Sequence, residues 1–315
     1  MTPATVRSIE LGITNKCTLR CPHCDSITMG MPNKPAINLD TAVLISFLDE
    51  LPALETVLIE GAYSDQLMYP NLLDVVRYCK NRQLKIRFCT HGSARSNDWW
   101  VQLGQLLDSN DIIRFAIDGS TQTIHEQYRV GSNLAKVLAN HATIKQHSGV
   151  ITSLQHIMFE YNKYDTDNVL QLATSEGFDR CEMIHCGNVT ITPELKQRGI
   201  VPIDPLSKQY ALNNKIVNSF KTLGTVHCDS IARSEIYINH RGEVTMCADH
   251  DDGVVKPNIT NSTLQDVFKH LNEQTDKHKC FKFCNQLEYN IGKTFPTIIH
   301  GNGEQVVNFH TRELS

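Results

Sequence analysis

The sequence predicts an α/β fold: an open partial (β/α)6 barrel followed by a smaller C-terminal α+β unit. Three observations carry this expectation. From residue 7 to about 186, short β-rich runs alternate with amphipathic stretches. Three of the runs begin at 56, 84 and 111, about 28 residues apart, the length of one β/α unit. The alternation then stops after six units, short of the eight that close a full barrel.

Taken in order, the expected strands are 7–14 (RSIELGIT), 56–60 (TVLIE), 84–90 (LKIRFCT), 111–117 (DIIRFAI), 151–159 (ITSLQHIMF) and 179–185 (DRCEMIH). Between them the helical spacing of apolar residues predicts helices over 40–51, 71–82, 97–108, 134–147 and 166–176. Asp40 stands at an N-cap position, Pro70 precedes a helical run and Gly177 follows one. Strands joined by helical crossovers form a parallel sheet, and the C-terminal strand edges of such a sheet carry the chemistry.

The rhythm changes after residue 186. GNVTITPELKQRGIVPIDP, with three prolines and two glycines, reads as a connector, and 205–222 reads as helical. SEIYINHRGEVTMC holds two short alternating runs around Arg241-Gly242, a hairpin signal, and a helix is expected near 263–272. The expected division is a barrel core over 1–187, a connector and helix over 188–222, and a C-terminal unit with its tail over 223–315.

With 41% apolar and 20% charged residues among 315, the chain has a globular composition, which excludes a disordered, collagenous or coiled-coil protein. No apolar run reaches the roughly 18 residues of a membrane span. The N-terminal MTPATVRSIELGIT lacks the apolar stretch of a signal peptide, so a cytoplasmic location and no membrane partner are expected. A net charge of −4 gives no electrostatic footprint for nucleic acid.

The cysteines are the informative count: eleven, an odd number, in a chain without a secretion signal. Disulfides are disfavoured in a reducing compartment, which leaves metal ligands, nucleophiles and buried small hydrophobes. Cys17, Cys21 and Cys24 form C-x3-C-x2-C in KCTLRCPHC, just beyond the first strand. Three thiolates at this spacing suit three irons of a 4Fe–4S cube and leave the fourth iron open to an exogenous ligand. A zinc ion with His23 as fourth ligand is a second reading, which the crowded spacing suits poorly, and three free loop thiols are a third.

This arrangement resembles the radical S-adenosylmethionine (SAM) superfamily, whose signature is C-x3-C-x2-C after the first strand of a six-unit partial barrel. The resemblance covers about residues 7–186. It implies that Cys17, Cys21 and Cys24 hold a 4Fe–4S cluster whose open iron chelates SAM. One-electron reduction then cleaves SAM, and the resulting 5′-deoxyadenosyl radical abstracts a hydrogen atom from substrate. Where the family has Gly-Gly-Glu-Pro after the second strand, this chain has Tyr63-Ser64-Asp65-Gln66. Asp65 then takes the acidic place facing the SAM ammonium, with Ser64 beside it. Thr90-His91-Gly92 stands where relatives have Thr-Asn-Gly near the ribose. Asp118-Gly119, His125 and Arg129 match the IDG…H…R pattern of the peptide-maturase branch. Arg129 is implied to pair with the SAM carboxylate, Tyr161 and Asn162 to lie near adenine, and His23 to occupy a position whose backbone contacts adenine.

Cys228, Cys247, Cys280 and Cys284 form a second set, with C-x13-G-x4-C at Gly242 and a C-x3-C pair. This is similar to the auxiliary-cluster extension called SPASM or, when shortened, Twitch. It implies a second 4Fe–4S cluster with four protein thiolates, suited to carrying electrons. A four-cysteine zinc knuckle is the competing reading. Cys181 and Cys186, within and at the end of the sixth strand, are candidate hydrogen donors to a substrate radical. Cys79 and Cys89 read as core thiols.

The expected protein is a radical SAM oxidoreductase or maturase, with the auxiliary cluster handling the substrate electron. Its substrate is a small molecule to be dehydrogenated or a peptide to be modified. Lys16, Arg20 and Lys34 form a basic rim for an acidic flavodoxin or ferredoxin-type donor. The chain starts on the first barrel strand, so recognition of a peptide leader is expected to need a separate protein. Two other classes remain: a non-catalytic iron–sulfur electron-transfer or scaffold protein, and a zinc-stabilised barrel.

Overall fold

The computed structural model describes residues 1–28, 30–61, 64–185, 192–201, 203, 234–246 and 256–273, together with the backbone of 297–300 and 305–307. The helix expected over 205–222 lies outside these residues, as do Cys186, Cys228, Cys247, Cys280 and Cys284.

Six parallel strands form the centre of the sheet: β1 (Ser8–Gly12), β2 (Thr56–Ile59), β3 (Lys85–Thr90), β4 (Ile112–Ala116), β5 (Ile151–Met158) and β6 (Arg180–His185). They lie side by side in chain order. The helical turn α1 (Asp25–Thr28) and helix α2 (Thr41–Asp49) cross from β1 to β2. Helix α3 (Leu72–Asn81) leads to β3, α4 (Asn97–Leu106) to β4, α5 (Gln122–Tyr128) and α6 (Leu134–His147) to β5, and α7 (Thr166–Ser175) to β6. The sheet does not close: β6 and β1 are not neighbours, and each instead gains a further strand.

Those further strands come from the C-terminal part. The expected hairpin forms as β7 (Glu235–Asn239) and β8 (Val244–Thr245), but it does not stand apart. β7 pairs in parallel with β1, from Ser8↔Glu235 to Gly12↔Asn239, and extends the barrel sheet. On the opposite side β9 (Thr297–His300) pairs antiparallel with β6, and β10 (Gln305–Val307) with β9. Helix α8 (Pro193–Gln197) lies in the expected connector, and α9 (Leu264–Glu273) matches the expected helix. No helix among the described residues is long and apolar enough to cross a membrane.

Strand alternation builds two different faces. Ile9, Leu11, Val57, Ile59, Ile86, Phe88, Ile113 and Phe115 join the helices in one apolar cluster. Each such side chain contributes about 1.5–3 kcal/mol on burial. The intervening residues lie on the other face, which carries Ser8, Glu10, Thr56, Arg87, Cys89 and Arg114 along with Leu58 and Ile112. There Arg114 Nε donates to both carboxylate oxygens of Glu182, at 3.0 and 3.1 Å, and Ser8 Oγ donates to Glu235 Oε2 at 3.2 Å.

Local signals set the boundaries. Asp40 caps α2 by accepting from the N–H groups of Ala42 and Val43 at 2.8 and 3.0 Å, worth about 1 kcal/mol. Gly92 ends the β3 turn at φ +69°, and a Cβ there would sit 2.7 Å from Phe115 Cδ1. Both the left-handed backbone and the close ring require glycine.

Two cysteine expectations are corrected by this alternation. Cys181 lies in the apolar cluster beside Met183, on the helix side of β6, and burial pushes its thiol up to about 12. It faces away from the side of Arg114 and Glu182, so the hydrogen-donor expectation does not hold for it. Cys89, expected in the core, is half-buried on the face of Arg114, where its Sγ donates to Gln155 Oε1 at 3.6 Å. Only Cys79 of the two is a core thiol.

Candidate functional site

The three early cysteines occupy the loop between β1 and α2, at the C-terminal edge of the parallel strands. Arg20 N–H donates to Val130 O at 3.0 Å and pins the loop to the segment after α5. Cys24 N–H donates to Cys21 O at 3.0 Å, which tightens the C-x2-C half into a turn. Cys21 is buried, and Cys17 and Cys24 are half-buried. All three pack against one small apolar cluster that contains Leu19, Tyr128, Phe159, Leu195 and Ile200.

The electrostatics of the thiols reflect this setting. Burial foremost, and then the Asp65 charge, push Cys17 up to about 12. Burial pushes Cys21 up to about 11, against the pull of the neighbouring Arg129 guanidinium. Cys17 feels both other thiols, and Cys21 feels Cys24. At neutral pH such thiols are protonated, and a bound metal group would displace their protons.

A second layer holds the mouth. Asp118, at the end of β4, is shut off from solvent. Its Oδ1 accepts from Ile157 N–H at 2.6 Å and its Oδ2 from Arg129 Nε at 2.5 Å. Its own N–H donates to His125 Nδ1 at 3.1 Å, so the neutral His125 ring carries its proton on Nε2 toward Ser132 Oγ, 2.9 Å away. Burial lowers the His125 pKa to about 4 and keeps that ring neutral. Burial pulls the Arg129 guanidinium down, but the Asp118 carboxylate, together with Cys21 and Tyr128, more than reverses this and holds it well above its usual value. The Gly119 turn beside Asp118 has no room for a side chain: a Cβ would meet His125 N at 2.4 Å.

The sequence-expected SAM residues fall into two groups. Ser64, Asp65, His91, Asp118, Arg129 and Asn162 all lie at the same strand edge as the cysteines, and most are engaged with protein partners. Asp65 accepts from Leu67 N–H at 2.8 Å, from Thr90 Oγ1 at 2.9 and 3.1 Å, and from His91 N–H at 2.7 Å. Thr90 bridges both oxygens and His91 Nε2 lies 3.5 Å from Oδ2, so the carboxylate is surrounded by protein donors. Ser64 Oγ donates to Thr14 O at 2.6 Å and accepts from Gln66 Nε2 at 2.7 Å, bracing the end of β1. Asn162 donates to Asp118 O and Ile157 O, at 3.2 and 2.9 Å, and accepts from Phe159 N–H at 2.7 Å. That amide is therefore a loop brace, spent on the backbone around Asp118. Beyond its bond to Asp118, the Arg129 guanidinium lies beside the Cys21 thiol.

Three features were not read from the sequence. Thr18, inside the cysteine loop, sits 3.2 Å from His91 Nε2. The connector contributes α8 and Ile200 to the apolar cluster around the thiols. Ile200 O takes His23 Nε2 at 2.9 Å, while Tyr161 N–H donates to Gly199 O at 3.0 Å. Proline and glycine content marked this stretch as a loop and gave no sign of where it packs.

The donor set fits an iron–sulfur group bound corner by corner: three thiols share one half-buried apolar pocket beside a guanidinium. Among the described residues no group of three or more His, Cys, Asp or Glu side chains is placed to hold a metal ion, and Cys17, Cys21 and Cys24 share one apolar cluster without meeting at a single point. The ring nitrogen of His23, the expected fourth zinc ligand, is bonded to Ile200 O.

No curated protein matches the chain. Among solved structures it is similar to anSMEcpe with bound AdoMet and the Cp18Cys peptide, at 14% identity and a TM-score of 0.57, over 87% of this chain and 81% of that one. It is similar to Streptococcus suis SuiB bound to the precursor peptide SuiA, at 10% identity and a TM-score of 0.61, over 92% and 71% of the two chains. SuiB bound to S-adenosylmethionine gives 11% identity and a TM-score of 0.58, over 92% and 72%. At these identities the likeness is one of fold. The family model described as the radical SAM superfamily matches residues 11–173, more than half of the chain, and takes in the cysteine loop, the Asp65 turn and the Asp118–Arg129 pair. A parallel open barrel with three thiols at its mouth and a family match across that region lead to one conclusion: the chain belongs to the radical SAM superfamily.

Proposed function

We propose that this protein reductively cleaves SAM and abstracts a hydrogen atom from a peptide or small-molecule substrate, with Cys17, Cys21 and Cys24 as ligands of its 4Fe–4S cluster. The observation that carries the reading is the gathering of three thiols in one pocket beside Arg129, inside the family-matched region. When bound, the cluster and SAM supply a one-electron cleavage and, through it, the hydrogen abstraction. The chain's own residues orient and exclude. Leu19, Tyr128, Phe159 and Ile200 keep water from the thiols. Arg129, held by Asp118, presents its remaining N–H donors to the mouth, where the SAM carboxylate would be matched. The charge of Asp65, already held by Leu67, Thr90 and His91, would face the SAM ammonium.

A peptide substrate is favoured by the peptides named with anSMEcpe and SuiB, whose fold this chain shares. Cys228, Cys247, Cys280 and Cys284, by their spacing, would hold an auxiliary cluster that takes the substrate electron. Lys16, Arg20 and Lys34, all close to the cysteine loop, would receive an acidic flavodoxin or ferredoxin-type donor.

The test is anaerobic reconstitution, reduction with dithionite, and assay of 5′-deoxyadenosine from SAM. Formation of deoxyadenosine is expected. Bound iron and sulfide with no deoxyadenosine would favour a non-catalytic iron–sulfur protein, the reading that the loading of Asp65 by protein donors supports. Deuterium carried into deoxyadenosine from labelled candidate substrates would then name the substrate.

A further inference from the structure

Thr18 follows Cys17 directly, and its hydroxyl is 3.2 Å from His91 Nε2. His91 lies beyond β3, two strands away from the loop it touches. Its other ring nitrogen, Nδ1, accepts from Ser93 N–H at 3.1 Å and lies 3.0 Å from Ser93 Oγ. A ring nitrogen that accepts carries no proton, so the neutral ring holds its hydrogen on Nε2, which faces Thr18 Oγ1 and also lies 3.5 Å from Asp65 Oδ2. The ring is buried, at 4% exposure.

The backbone closes the circuit. His91 N–H donates to Asp65 Oδ2 at 2.7 Å, and Asp65 N–H donates to Lys16 O at 3.0 Å. Lys16 is the residue before Cys17. The ends of β1, β2 and β3 are thus tied in a ring that encloses the first cysteine from both sides, through Lys16 and Thr18. No hydrogen bond in this ring uses a thiol, so the ring can stand before any metal group binds.

We propose that His91 is the positioning residue of the cysteine loop: through Thr18 and Asp65 it fixes the Cys17 end of the loop against the ends of β2 and β3. This rests on the reading of the loop thiols as cluster ligands, but the loop clamp itself can be measured without a cluster. The bond is part-buried, with its Thr18 end exposed, so losing it opens the loop more often by roughly fivefold.

The experiment labels the metal-free protein anaerobically with N-ethylmaleimide and reads each cysteine by peptide mass spectrometry. Thr18→Val and His91→Phe are expected to speed labelling of Cys17 and Cys21 roughly fivefold, and Thr18→Ser to restore the wild-type rate. The double variant Thr18→Val/His91→Phe is expected to be no faster than either single one, because both remove the same bond. Core thiols Cys79 and Cys181 report on global unfolding and are expected to stay protected. If His91→Phe exposes them, Thr18→Val alone decides. Wild-type labelling of Cys17 and Cys21 in Thr18→Val, or additive effects in the double variant, overturns the clamp.

A second arm follows iron release to a chelator from the reconstituted proteins, where the same order of variants is expected. Equal release from wild type and Thr18→Val overturns the link to cluster retention. A wild-type protein that takes up no iron would overturn the proposed function, while the labelling of the metal-free protein would still judge His91.

Discussion

Arg129 Nε meets Asp118 Oδ2 at 2.5 Å across a carboxylate that water does not reach. The same aspartate accepts from Ile157 N–H and, through its carbonyl, from Tyr161 and Asn162. One side chain therefore joins the fourth strand end to the fifth and aims the arginine at the mouth. Removing one partner of a buried ion pair leaves the other charge uncompensated, which costs about 3–5 kcal/mol. Asp118→Asn is expected to destabilise the protein by that amount in urea denaturation. A loss below about 1 kcal/mol would show that water reaches Arg129.

The first cysteine set gives a sharper functional test. Cys21→Ala leaves two thiolates for the cube and is expected to abolish deoxyadenosine formation, with iron content falling in parallel. Undiminished deoxyadenosine in this variant would remove Cys21 from the cluster.

The second set separates the two proposed clusters. Cys284→Ala is expected to keep uncoupled SAM cleavage while substrate turnover is lost. Full turnover by this variant would show the auxiliary cluster to be dispensable.

Stability should also fall on mild acidification. His125, His141 and His240 are buried, and burial lowers each from 6.5 to about 4. Above pH 6.5 both folded and unfolded chains hold these rings neutral. As the pH drops below 6.5 the unfolded chain gains protons that the folded one refuses, so stability declines until about pH 4 and then levels off. Each ring contributes about 3 kcal/mol across that window, to order of magnitude. His141, stacked on Phe178 with centroids 3.6 Å apart, is the cleanest to remove. His141→Gln is expected to take away its own share, about 3 kcal/mol, of the decline between pH 6.5 and 4, the rest coming from His125, His240 and the buried His91. Unfolding free energies with the wild-type slope would contradict the assignment.

Much of the barrel was legible because burial imposes a period. Six strands and five of their crossover helices lie within a few residues of their expected bounds, and α6 spans 134–147 as expected. Helix α5 was missed because its seven residues, QTIHEQY, are too few to show an apolar stripe; its Thr121 cap is the main local signal. The facing of Cys89 and Cys181 needed the strand register, since one residue of slip exchanges the two sides. Family-pattern positions led to Asp118, Asn162 and Arg129, but not to how thoroughly the protein uses their polar groups. Contacts such as Thr18 with His91, 73 residues apart, leave no trace in local sequence.

The pairing of β7 with β1 has a consequence for biogenesis. Ser8 reaches Glu235, 227 residues further along. During synthesis the opening strand leaves the ribosome long before its outer neighbour is made, so it waits as a bare edge with backbone groups open to pairing. The cysteine loop hangs directly from that edge. Its final setting is therefore reached only once β7 has been made, and metal loading would follow that pairing rather than precede it.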